Sequence, residues 1–179
     1  MFESFADWPE FQSLAVEIEG FAGQLRDEAL SLMGQNGAFK PWHEPQIYEG
    51  GWDAYGIFWA GREIDRRTRA PLAKEVLSSW QSIVFNAGYS LMRPGANIKP
   101  HVGYTSDVLR LHLGVYAPVS DPALVGLRVG GVIQGWVEGE CVLFDDTQEH
   151  CAWNKSAQPR VVLLVDLLRP SGRGKRRRA

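Results

Sequence analysis

Val108-Leu109-Arg110-Leu111-His112-Leu113-Gly114-Val115 alternates in character with period two, the pattern of a β-strand with two different faces. Arg110 and His112 fall on one face, and Leu109, Leu111 and Leu113 on the other. The strand lies inside a longer stretch, His101 to Arg160, that carries most of the chemistry of the chain. Upstream, the turn signal Arg93-Pro94-Gly95 precedes Ile98-Lys99-Pro100-His101-Val102-Gly103. Downstream, Trp136-Val137-Glu138-Gly139-Glu140 leads into a strand from Cys141 to Phe144. Asp145-Asp146-Thr147 then turns the chain toward His150. Arg160 opens a last strand, Val161 to Leu168, which is almost wholly apolar and therefore expected to be buried.

These residue types suit one chemistry. Neutral imidazole is a good ligand for ferrous iron, and non-haem iron oxygenases commonly hold the metal with two histidines and a carboxylate. The usual form is His-x-Asp followed by a distant His. Here the first part reads His101-Val102-Gly103, so the carboxylate is missing. Arg160 follows His150, and a guanidinium there can hold a carboxylate through two parallel hydrogen bonds. Taken singly, each residue has a plainer reading: a structural histidine, a solvent-facing arginine, a capped strand edge. The set, at these spacings, points to a metal and an acid.

The arrangement resembles the aspartyl/asparaginyl β-hydroxylase family of iron(II)/2-oxoglutarate oxygenases. The likeness is carried by Gly50-Gly51-Trp52, Ser90-Leu91-Met92-Arg93-Pro94-Gly95, Pro100-His101-Val102-Gly103, Leu109-Arg110-Leu111-His112-Leu113-Gly114, Trp136-Val137-Glu138-Gly139, Phe144-Asp145-Asp146, Glu149-His150, Trp153, Arg160 and Val165-Asp166. That family has glycine where other oxygenases have the iron carboxylate, so Gly103 agrees with it. The resemblance implies that His101 and His150 bind Fe(II). It implies that Arg160 and Ser90 hold the distal carboxylate of 2-oxoglutarate, and that Arg110 and His112 hold its C1 end. The activity implied is hydroxylation of an unactivated carbon, with O2 as the second co-substrate and with succinate and CO2 released. The expected target is the β-carbon of an aspartyl, asparaginyl or related amino-acid unit. Two alternatives are a halogenase using the open position at Gly103 and a non-catalytic cupin-like binding module.

Composition sets the frame. The chain has 179 residues, 45% hydrophobic and 22% charged, which suits one domain with a sizeable core. No apolar run is long enough to span a bilayer, and no secretory signal is evident, so cytoplasmic residence is the expectation. Cys141 and Cys151 read as two reduced core thiols. The end of the chain, Arg173-Gly174-Lys175-Arg176-Arg177-Arg178, holds five of the nineteen basic residues; the rest carries fourteen basic against twenty-one acidic, a net charge of −7. Residues 171–179 read as a mobile, solvated tail rather than a nucleic-acid arm.

Asp7-Trp8-Pro9-Glu10 has the form of a helix start with Asp7 as N-cap and Glu10 completing a capping box. Phe11, Leu14, Ile18, Phe21, Leu25, Ala29 and Leu32 then recur at helical spacing, and Gly34 and Gly37 end the helix. A loop with Pro41, Trp42, His43 and Pro45 follows. Trp52 to Trp59 and Ile83 to Met92 read as strands, and Pro71 to Trp80 as a short helix. The fold expected is mainly β, a double-stranded β-helix or cupin-like jelly roll with N-terminal helices packed outside. One oxygenase domain is expected over residues 1–170, with a helical part over residues 7–36 and a jelly-roll core over residues 46–170. Trp52, Trp59, Trp136 and Trp153 are expected to line or support the barrel mouth. A small, peptide or carrier-bound amino-acid substrate is expected. Arg62, Arg66, Arg67 and Arg69 crowd one segment, which reads as a solvated charge run with a substrate carboxylate as the alternative.

Overall fold

A computed structural model describes residues 1–170; the basic tail at 171–179 lies outside the described residues. Three helices, α1 (Pro9–Gly20), α2 (Ala22–Met33) and α3 (Pro71–Ser78), accompany twelve strands. The strands are β1 (Lys40–Pro41), β2 (Tyr48–Glu49), β3 (Trp52–Trp59), β4 (Arg62–Glu63), β5 (Val84–Met92) and β6 (Asn97–His101), then β7 (Val108–Tyr116), β8 (Val125–Val129), β9 (Val132–Gln134), β10 (Cys141–Phe144), β11 (His150–Asn154) and β12 (Arg160–Leu168). The larger sheet runs β1-β3-β5-β12-β7-β10, with β4 hydrogen-bonded to β3; the smaller runs β2-β6-β11-β8-β9. Where register is recorded, every pairing between strands is antiparallel.

The period-two alternation explains how the layers assemble. On β7 and β12, Leu109, Leu111, Leu113, Val161, Leu163 and Val165 join a core shared with α1, α2 and α3. Val162 and Leu164, one position out of step, join a second core with Ile98, Val125, Leu127 and Ala152 of the smaller sheet. The larger sheet is therefore covered by helices on one side and by the smaller sheet on the other. This is the jelly-roll layering expected from the sequence. It also explains why β12, a central strand between β5 and β7, is apolar along both faces: one face packs on the helices and the other on the smaller sheet.

The helical segment differs from expectation in two ways. A single apolar stripe runs from Phe11 to Leu32, yet the helix breaks at Gly20-Phe21. Phe21 leaves helical geometry (φ −101°, ψ 8°), and its N–H bonds back to Ile18 and Glu19 instead of continuing the ladder. The break lets the second half turn across the sheet while its apolar face stays buried. Asp7 is not the N-cap. It closes a short 3-10 turn, Phe5–Asp7, capped by Ser4, and Trp8 takes the N-cap position of α1 with Pro9 behind it. A proline in the first turn needs no partner for an N–H, so the helix starts there without a side-chain cap.

A half-buried carboxylate fixes the helices to the sheet. Glu28 on α2 accepts from the Leu72 and Ala73 N–H groups at the start of α3 (2.7 and 3.2 Å) and from the Tyr89 hydroxyl on β5 (2.7 Å). It supplies the negative charge that the N-terminus of α3 favours.

Candidate active site

β6 and β11 pair so that His101 stands directly opposite His150. The two ring centroids are 4.2 Å apart, with the planes inclined at 51°. Each ring is anchored the same way: Nδ1 of His101 lies 2.8 Å from the Lys99 carbonyl oxygen, and Nδ1 of His150 lies 2.9 Å from the Gln148 carbonyl oxygen. A carbonyl only accepts, so Nδ1 carries the proton in both, and the Nε2 lone pairs remain for a ligand. A carbonyl holding the far ring nitrogen in this way is the arrangement that orients metal-binding histidines. Burial is the main cause that lowers the pKa of His150 to about 4, keeping the ring in its neutral, metal-binding form. Among the described residues no set of three His, Cys, Asp or Glu side chains converges on one ion position. The pair thus offers two nitrogens, a donor set that suits ferrous iron with its remaining positions left for small ligands.

The place that Gly103 leaves bare is filled from elsewhere. A Cβ on Gly103 would overlap the carboxylate of Asp146, and the Gly103 N–H donates to the Asp146 carbonyl at 2.7 Å. Asp146 is buried, its Oδ1 has no hydrogen-bond partner, and its Oδ2 lies 3.3 Å from Nη2 of Arg110. Burial is the first cause raising its pKa, partly offset by Arg110 and reinforced by Asp166. Gly103→Ala is therefore expected to lower stability by about 1–3 kcal/mol, as overpacking does. A thermal or urea melt checks this; an unchanged midpoint would mean that the Asp146 carboxylate swings aside freely.

Behind the histidine pair is a small inner cavity of about 30 Å³ bordered by Ser90, His112, Trp136 and Arg160. Its polar groups want a partner. Arg160 is 2% exposed; among the described residues its Nε has no partner, and its one hydrogen bond runs from Nη1 to the Ser90 carbonyl at 3.3 Å. Its guanidinium lies 4.2 Å from the ring centroid of Trp136. Burial without a counter-charge lowers its pKa to about 9. Both ring nitrogens of His112 and the indole N–H of Trp136 are also buried without partners. Burial, then the nearby Arg160 charge, holds His112 well below the usual histidine range and so neutral. The Ser90 hydroxyl accepts from the Trp52 indole at 2.9 Å, which leaves its own proton to donate. Buried polar groups are nearly always paired, so this convergence of donors fits a carboxylate.

Arg110 is differently placed. It makes a two-point ion pair with Asp166 (2.7 and 3.1 Å) as well as the contact to Asp146. Burial would lower its pKa, but the two carboxylates outweigh that and hold it above the ordinary value. One terminal nitrogen, Nη1, is left for a ligand. Asp146 and Asp166 are the residues that sequence reasoning gave no role. Asp166 had a signal, a lone charge in an apolar strand; Asp146 had none, because Asp145-Asp146 reads as a turn.

An outer cleft of about 450 Å³ opens from the histidine pair to solvent and shares Trp52, Ser90, His101, Arg110 and Leu164 with the inner cavity. Trp52 and Trp59 line it, as does His43, while Trp136 lines the inner cavity. Trp153 lines neither; its indole donates to the Pro122 carbonyl on the outside of the smaller sheet. Cys141 and Cys151 are free thiols. Arg62, Arg66, Arg67 and Arg69 line neither the cleft nor the inner cavity.

Comparison with known proteins agrees with this geometry. A family model described as aspartyl/asparaginyl beta-hydroxylase matches residues 22–170. The mouse aspartyl/asparaginyl beta-hydroxylase is 29% identical over 161 residues, 87% of this chain and 21% of that protein. The mouse aspartate beta-hydroxylase domain-containing protein 1 is 42% identical over 132 residues, 69% of this chain and 36% of that protein. An ornithine lipid ester-linked acyl 2-hydroxylase from Rhizobium tropici is 42% identical over 84 residues, 47% of this chain and 30% of that protein. The chain thus spans about a third or less of the length of these relatives. Among solved structures, a Trichoplax adhaerens prolyl hydroxylase in complex with a peptide fragment superimposes with a TM-score of 0.57 at 11% identity, covering 93% of this chain and 94% of that one. A 2OG-Fe(II) oxygenase family oxidoreductase from Burkholderia pseudomallei gives 0.57 at 10% identity, covering 80% and 78%. These likenesses show a shared jelly-roll fold. With the family model spanning α2 and both sheets, the chain belongs to the aspartyl/asparaginyl β-hydroxylase family.

Proposed function

We propose that this protein is an iron(II)- and 2-oxoglutarate-dependent hydroxylase of unactivated carbon. The observation that carries the reading is Arg160, a buried guanidinium with no counter-charge among the described residues, set in a cavity that adjoins two histidines facing each other. His101 and His150 would hold Fe(II) through Nε2. Arg160 and the Ser90 hydroxyl would hold the distal carboxylate of 2-oxoglutarate. His112 and the spare Nη1 of Arg110 would meet its C1 end, with the co-substrate lying across the inner cavity toward the cleft. When bound, the iron supplies O2 activation coupled to loss of CO2 from 2-oxoglutarate. One oxygen atom enters succinate and the other enters the substrate as hydroxyl. The protein's part is to position the groups and exclude side reactions.

The Asp146 carboxylate favours hydroxylation over halogenation. The Asp146 carboxylate fills the place beside Gly103, so a halide next to it would meet a buried acidic group. A water there would find an acceptor in the unbonded Oδ1. The unpaired buried donors around Arg160 likewise argue for a co-substrate and against an inert cupin-like module. An aspartyl, asparaginyl or related amino-acid unit is the target that the relatives' names suggest. Among the described residues no helix is long and apolar enough to cross a membrane. The test is an incubation with Fe(II), 2-oxoglutarate, O2 and a pool of amino acids, peptides and acylated compounds, with and without chloride. Succinate formation with a one-oxygen mass gain, indifferent to chloride, is expected. A chlorine isotope pattern in the product would overturn the hydroxylase in favour of a halogenase.

A further inference from the structure

A polar row crosses three neighbouring strands of the larger sheet. β5, β12 and β7 lie side by side, and Asn86, Asp166 and Arg110 are direct partners across them. Side chains opposite one another on adjacent strands stand about 5 Å apart on one face, and here they bond. Asp166 takes two bonds from Arg110 (2.7 and 3.1 Å) and one from the Asn86 amide nitrogen (3.0 Å). The row ends on a fourth residue that comes from outside the sheet. Tyr104 lies in the loop between β6 and β7, three positions past His101, and its hydroxyl is 2.6 Å from the same Asn86 nitrogen. All four side chains border the outer cleft, as His101 does.

The row decides which group holds each proton. Asn86 Oδ1 accepts from the Ala60 N–H at 2.9 Å, so the amide cannot turn over, and its nitrogen faces Asp166 and Tyr104. An amide nitrogen only donates. The Tyr104 oxygen is therefore the acceptor in its bond with Asn86, and its own proton is left over. The acceptors of the row are already engaged. Both Asp166 oxygens take protons from Arg110 or Asn86, and Asp146 Oδ2 faces Arg110 at 3.3 Å. Among the described residues the Tyr104 hydroxyl makes no bond as a donor.

Packing does not account for this residue. Tyr104 is 66% exposed, so it buries little apolar surface, and a ring that open ordinarily samples several rotamers. Its loop is held by other bonds: the Gly103 N–H donates to the Asp146 carbonyl (2.7 Å), and the Asp107 N–H to the Thr105 hydroxyl (3.1 Å). What holds the phenol is Asn86, and what that bond leaves is one spare donor at the cleft. Resting on the hydroxylase reading, we propose that Tyr104 is a specificity-determining residue. Its hydroxyl donates to an oxygen acceptor of the substrate, a carbonyl or carboxylate in the outer cleft. Asn86 is the positioning residue that keeps the phenol there. A substrate group of the same shape without an acceptor leaves this proton unpaired and binds more weakly.

The test uses the full chain loaded with zinc(II) and 2-oxoglutarate. The probes are N-acetylasparagine amide and N-acetylleucine amide, whose side chains match in shape and differ in the acceptor. Affinities are read by titration heat. Contact with Tyr104 is read by fluorine resonance after all five tyrosines are replaced by 3-fluorotyrosine. The Tyr104 signal is the one lost in Tyr104→Phe. The asparagine probe should shift that signal. Tyr104→Phe should lower the asparagine-over-leucine preference about 3- to 10-fold, the ratio that one net hydrogen bond gives. It should leave 2-oxoglutarate affinity and the melting temperature as they were. Asn86→Ala should move the Tyr104 signal toward that of free 3-fluorotyrosine, because the ring has lost its anchor. A Tyr104 signal that ignores the asparagine probe, or a preference that Tyr104→Phe does not change, would overturn the specificity role. A signal that Asn86→Ala leaves in place would overturn the positioning role. If Tyr104 fails these tests while 2-oxoglutarate still binds, the oxygenase reading stands without it; if 2-oxoglutarate itself does not bind, both fall.

Discussion

Arg160→Met will abolish useful 2-oxoglutarate binding and, without ligand, leave the protein at least as stable as the parent chain. The two effects have one cause. Arg160 is a buried charge that, among the described residues, hydrogen-bonds only the Ser90 carbonyl and leaves its Nε without a partner. Replacing buried ionic groups by apolar residues of similar volume is often neutral or stabilising, by roughly 1–4 kcal/mol. Loss of the contact with the Trp136 ring offsets part of that gain. Against a bound carboxylate the balance reverses. Breaking a buried charge pair costs about 2–5 kcal/mol, which is a loss of roughly 30- to 4,000-fold in affinity. A ligand present at 100 times its dissociation constant stabilises the parent protein by about 2.7 kcal/mol. The order of melting temperatures should therefore cross on adding manganese(II) and 2-oxoglutarate, with the variant equal or higher without them and lower with them. A variant that keeps the ligand-induced shift would move the acid away from Arg160, and Arg110 would be the next candidate.

How far this site could be read in advance follows from the range of the interactions that build it. The alternation in Val108–Val115 reports on side chains two residues apart. It correctly sends Arg110 and His112 to the barrel side and Leu109, Leu111 and Leu113 to the helix side. The apolar run from Val161 reports burial on both faces and so a central strand. What could not be read was every contact that depends on register between distant segments. His101 and His150 face each other because β6 and β11 pair at that step, and nothing local to either histidine says so. Asp145 and Asp146 show the limit most clearly. Both sit in one turn, yet Asp145 makes the turn's own hydrogen bonds to Thr147 (3.1 and 2.7 Å), while Asp146 is turned inward against Gly103 and Arg110. The missing carboxylate at Gly103 and the carboxylate of Asp146 are two halves of one packing decision, made between residues forty-three positions apart in the chain. The helix break at Gly20-Phe21 belongs to the same class. The apolar stripe continues in register across it, so periodicity alone cannot see that the axis turns.

His101→Ala and His150→Ala are expected to raise the concentration of divalent metal needed for half-saturation by at least about 100-fold each, and the double variant should bind none. The geometry sets this size. Losing an outer-shell partner of a metal histidine already costs about 10- to 100-fold, and here each ring is one of only two nitrogens offered. Among the described residues no third His, Cys, Asp or Glu completes the cluster. Asp146 cannot substitute, because Arg110 and the backbone at Gly103 hold it in place. The metal-free fold should tolerate either change. His150 is neutral when buried, so its removal leaves no opposite charge unpaired, and each ring's one hydrogen bond is to a nearby carbonyl that stays in the same strand or turn. The measurement is a thermal melt with increasing manganese(II) or zinc(II). The parent chain should rise with metal, each single variant should need far more of it, and the double variant should not respond. Added imidazole should restore part of the response in the single variants by refilling the space a ring has left. If both single variants keep the parent's metal response, the metal does not sit between these two histidines. If metal-free melting falls by more than a few degrees, the histidines hold the β6–β11 pair together as well as the ion, and the loss of metal must then be measured below that temperature.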